Sequence, residues 1–75
     1  MRKSLFMNGV EIMAIIDGRF YIPNDEYGWE CLVECTKNQF IEKLKQMSWV
    51  CLTTWCKELK QEYLDLVDYT NQLEG

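Results

Sequence analysis

From Trp49 onward, apolar residues recur at alternating three- and four-residue steps: Trp49, Leu52, Cys56, Leu59, Tyr63, Leu66, Thr70 and Leu73. That spacing turns one side of an α-helix toward a single surface for about seven turns, with Thr70 the only polar member. The C-terminal third is therefore built to pack. Upstream, Phe40, Ile41, Leu44 and Met47 follow the same period, and Glu42, Lys43, Lys45 and Gln46 fall between them. Thr36 opens this shorter helix as N-cap, with Gln39 three residues on as its reciprocal capping-box partner. Ser48, Thr53 and Thr54 are all cap candidates, and the β-branched run around them is weakly helical. The predicted break lies near Met47-Ser48, with a second irregularity near Thr53.

The first third has the period of strands instead. Asn8-Gly9 and Asp17-Gly18 are dipeptides that tolerate the positive φ angles of a two-residue type I′ turn, and between them Val10 to Ile16 is rich in β-branched residues. Leu5 to Met7 and Arg19 to Ile22 flank these turns, which predicts a three-stranded meander ended by Pro23-Asn24-Asp25. Trp29 to Cys35 alternates as a fourth strand with one wet face. The predicted fold is α+β, a single domain with the β-meander in residues 1–35 and two packed helices in residues 36–75.

Straight alternation through the turns assigns Leu5, Met7, Val10, Ile12, Ala14, Ile16 and Tyr21 to one sheet face. Phe6, Glu11, Met13, Ile15, Phe20 and Ile22 fall on the other. Both faces are apolar, whereas an antiparallel sheet with a solvated face reads polar on that side. The expectation is that both helices lie on one face and leave the other for a second chain. Phe6, Met13, Ile15, Phe20 and Ile22 are thereby candidate partner-binding residues. Tyr27, Trp55 and Tyr69 join them as aromatics that a small core cannot all absorb, since Trp and Tyr most often anchor interfaces. Trp29 and Trp49 are expected to fill the space between helices and sheet.

Charge narrows the functions. The 75 residues carry a net charge of −4 without histidine. Asp25, Glu26, Glu30 and Glu34 lie in a stretch with no cation, and Glu62, Asp65 and Asp68 form a second acidic group on the long helix. An acidic chain binds nucleic acid poorly, because non-specific affinity comes from cations that neutralise phosphates. A nucleic-acid mimic that occupies a basic protein is the alternative such acidic surfaces suggest. General acid-base and nucleophilic catalysis lack the histidine that usually serves them, so no catalytic residue is predicted.

The remaining chemistry is thiol. Cys31, Cys35, Cys51 and Cys56 are spaced C-x3-C and C-x4-C, away from the C-x2-C knuckle of structural zinc sites. On a strand, the first pair stands about 13 Å apart. On a helix, the second pair is rotated by roughly 140°. A small Cys-coordinated metal domain is thus the weaker alternative, and neither a metal nor a cofactor is predicted. The basic start at Arg2 and Lys3 leads into an apolar run cut at Asn8-Gly9, too short for a signal-peptide core. No stretch is long enough to span a membrane. These features predict a cytoplasmic protein with reduced thiols, which binds another protein and pairs with itself as a homodimer. Its acidic, aromatic-rich composition is similar to that of small phage and mobile-element antagonists that bind and block a larger target.

Overall fold

The computed structural model describes residues 1–24 and 28–73, with the side chains of 28–30 left aside. Four strands come first: β1 (Arg2–Met7), β2 (Val10–Ile16), β3 (Arg19–Asn24) and β4 (Gly28–Cys35). They form one antiparallel sheet in chain order, and α1 (Lys37–Thr53) and α2 (Lys57–Gln72) follow. The α+β fold predicted from the sequence is the fold observed.

Both hairpins turn where the sequence placed them. Asn8 and Gly9 have φ of 53° and 81°, and Asp17 and Gly18 have 50° and 80°. Two successive positive φ values are the signature of the type I′ turn, whose twist matches that of the strands it joins.

The ladder between β1 and β2 shifts register between Leu5 and Phe6. Leu5 pairs with Met13 while Phe6 pairs with Glu11, so Ile12 is an extra residue opposite no partner. A bulge of this kind changes which side chains share a face. Leu5 therefore joins Met13, Ile15 and Phe20 beneath the helices, where Ile12 also lies; all but Phe20, at 7%, are 1% exposed or less. The expected open face carrying Met13, Ile15 and Phe20 is corrected accordingly. Those three residues are the centre of the core, and Ile22 is packed against its margin.

Both helices cover this one side. Phe40 of α1 meets Phe20 with ring centroids 5.2 Å apart and planes tilted by 52°. From α2, Leu59, Tyr63 and Leu66 close the same cluster, and the buried Tyr63 hydroxyl donates to the Leu44 carbonyl at 3.1 Å, fastening α2 to α1. Thr70 is 1% exposed and donates its hydroxyl to the Leu66 carbonyl at 2.7 Å, which lets a polar side chain sit in an apolar stripe.

Thr36 caps α1 as predicted. Its hydroxyl accepts from the Gln39 amide at 3.2 Å, and the Gln39 side chain accepts from the Thr36 amide at 2.9 Å. The helix does not break at Met47-Ser48 but runs on to Thr53. It ends at Thr54, whose backbone is extended and whose hydroxyl accepts from the Cys56 amide at 3.2 Å. That local bond offers the backbone an alternative to another helical turn.

The break resets the helical phase, so the long stripe read from the sequence is two stripes. Phe40, Leu44, Met47 and Cys51 are buried on α1, and Leu59, Tyr63, Leu66 and Thr70 on α2. Trp49 and Leu52 belong to neither. They project from the far side of α1 and are 74% and 45% exposed. Trp49 as core filler is thus corrected, because it lies about 200° around the helix from the buried Met47.

Candidate functional site

The corner between α1 and α2 gathers exposed apolar side chains. On α1, Trp49 and Leu52 lie within about 60° of each other around the helix axis, on the solvent side. Val50 is 40% exposed, and Trp55, in the three-residue connection, is 100% exposed. Single exposed apolar residues are ordinary; two tryptophans among four such residues in seven positions are not.

A groove of about 450 Å³ runs beside this corner, between the connection and the β1–β2 turn. Phe6, Met7, Val50 and Leu59 supply its apolar lining, and Glu58 and Glu62 its acidic rim. Phe6 is 44% exposed. Trp55 stands between Thr54 and Cys56, which both line the groove, yet its own ring leaves the groove unfilled. An apolar trough edged by carboxylates accepts an apolar side chain with a cation close by.

The uncovered face of the sheet is different in kind. Arg2 and Ile16 pair across β1 and β2 there, Ser4 and Tyr21 flank Ala14 from either side, and Glu11 joins them through its hydrogen bonds from Arg2 and Ser4. Arg2 donates Nε to Glu11 Oε2 at 3.0 Å, and a second guanidinium nitrogen and the Ser4 hydroxyl also donate to this carboxylate. The Arg2 hydrogen bond holds the Glu11 carboxyl below the usual carboxylate range, with burial opposing it. This face also holds a hollow of about 520 Å³, and its polar centre is already satisfied by the pairing of Arg2 and Glu11. The sheet surface left by the helices is half-polar, which makes it a weaker docking face than two apolar faces would have implied.

The remaining candidates are dispersed. Tyr69 is half-buried against the core, with the Lys3 ammonium 5.8 Å from its ring centroid. Asp25, Glu26 and Tyr27 lie outside the described residues, as do the side chains of Trp29 and Glu30. Glu34 pairs with Arg19 at 3.6 Å, and Asp65 and Asp68 line a shallow depression together with Lys3. Cations are thus interleaved with the described acids. Glu62 is separated from them in role, because it faces the groove.

All four cysteines are unbridged: Cys31 and Cys56 exposed, Cys35 half-buried, Cys51 buried. Burial pushes the thiols of Cys51 and Cys35 up, with Glu34 adding to the effect at Cys35. Among the described residues, no three His, Cys, Asp or Glu side chains are grouped to hold a metal ion, and no helix is long and apolar enough to cross a membrane.

The sequence singled out Trp55, which is exposed, but neither the exposure of Trp49 and Leu52 nor the groove. The groove joins residues about 50 positions apart, so no local periodicity marks it. Comparison of the chain with family models, with curated proteins and with solved structures returns no match.

Proposed function

We propose that this protein is a protein-binding module whose contact surface is the α1–α2 corner, formed by Trp49, Leu52, Trp55 and the adjoining groove. The observation that carries the reading is Trp55, an indole wholly in water on a three-residue connection where a polar residue would serve solubility better. Large aromatics bring about 150–250 Å² each to an interface and dominate its energetics when a partner covers them. Glu58 and Glu62 define the complement: an apolar anchor that carries Lys or Arg beside it.

A photo-cross-linking amino acid at position 55, expressed in the native host, tests this. Light-dependent adducts are expected at position 55 and not at Asn71, an exposed site on α2 away from the corner. Equal labelling at both positions, or none at position 55, would overturn the reading.

A further inference from the structure

We infer that the corner's partner is a second copy of this chain, with each Trp55 seated in the other copy's groove. This rests on the corner being a protein-binding surface and deepens that reading. The groove asks for an apolar side chain with a cation close by, and the corner itself offers one. Trp55 is fully exposed, and Lys57 follows two residues later at the start of α2, exposed as well. Receptor and ligand thus sit side by side on one surface, the arrangement that a two-fold axis requires, since residue i of one copy meets residue j of the other and the reverse.

Charge supports this pairing over docking elsewhere. The chain as a whole is at −4, which opposes association of two copies. Between Trp49 and Glu62, however, Lys57 and Lys60 balance Glu58 and Glu62, so the corner is locally neutral. Its charges are also self-complementary: Lys57 of one copy approaches the Glu58 and Glu62 rim of the other as Trp55 enters. The acidic side chains of α2 beyond Glu62, Asp65 and Asp68, lie one and two turns further along and stay clear of the contact.

The area is sufficient for a reversible dimer. Two copies of Trp49 and Trp55, at about 150–250 Å² each, together with the surface that receives them, approach the roughly 1,200 Å² at the low end of specific interfaces. Contacts at this end of the size range belong to reversible rather than obligate assemblies.

Sedimentation equilibrium of the full chain tests it. The mass is expected to rise from 9.0 kDa toward twice that value as concentration passes from about 1 µM to several hundred µM, a span that brackets a micromolar Kd. Trp55→Ala is expected to weaken association at least tenfold. Lys57→Glu and Glu58→Lys are each expected to weaken self-association, and an equimolar mixture of the two to restore it, because a two-fold contact re-forms both opposite-charge pairs in the mixed dimer. A chain that stays at 9.0 kDa throughout, a dimer indifferent to Trp55→Ala, or a mixture no better than its components overturns the inference. A monomer whose position 55 nonetheless cross-links to a different protein would leave the binding module standing and remove only its self-pairing.

Discussion

Phe40 and Trp55 are both large aromatics, one 0% and the other 100% exposed. Helical spacing separated them only in part. Phe40 was legible because Ile41, Leu44 and Met47 recur with it at helical spacing, whereas Trp49 carries a regular period too and faces water. Phe40→Ala removes a ring from a closed cluster and is expected to cost about 3–5 kcal/mol, read as a lower denaturant midpoint with little change in slope. Glu11 also had no legible role, since straight alternation placed it on the apolar face of Met13, Ile15 and Phe20. Its carboxyl is held below the usual range mainly by the Arg2 hydrogen bond. A carboxylate with a lower pKa in the folded chain contributes stability above the ordinary carboxylate range and loses it as pH falls through its folded-state value. Wild-type melting temperature is therefore expected to fall on acidification below that range. Glu11→Gln should flatten this fall without abolishing it, because Asp17 is lowered in the same direction by the N-terminal amine.

At the scale of elements, starts were easier to read than stops. Thr36 and Gln39 announce α1 because a capping box is local chemistry between residues three apart, and both of its bonds form. Thr36→Ala is expected to cost about 1 kcal/mol, measurable as reduced stability with native far-ultraviolet dichroism at room temperature. The end of α1 was less legible. Val50, Thr53 and Thr54 all weaken a helix, and which one yields depends on where the Thr54 hydroxyl finds the Cys56 amide. The bulge at Leu5/Phe6 left no trace in the sequence either, since no Gly or Pro marks it. One extra residue there was enough to move Leu5 to the opposite face from that expected.

For the molecule as a whole, three strands were legible from two turn dipeptides, the fourth from the alternation of Trp29 to Cys35, and the helices from two helical periods. The position of the surplus apolar surface was not. It lies at the α1–α2 corner because the phase reset at Thr54 rotates the end of α1 out of register with α2, which leaves Trp49, Leu52 and Trp55 facing outward while the sheet's other side is partly neutralised by Arg2 and Glu11. The core and the corner thus answer to different constraints: the first is closed by packing within the chain, and the second stays exposed to solvent.

The hydration of Trp49 and Trp55 also gives the molecule a built-in optical gauge. Indoles in water emit at longer wavelength than indoles shielded from it, so whatever settles on the helical corner will announce itself as a blue shift in intrinsic emission, with no label attached.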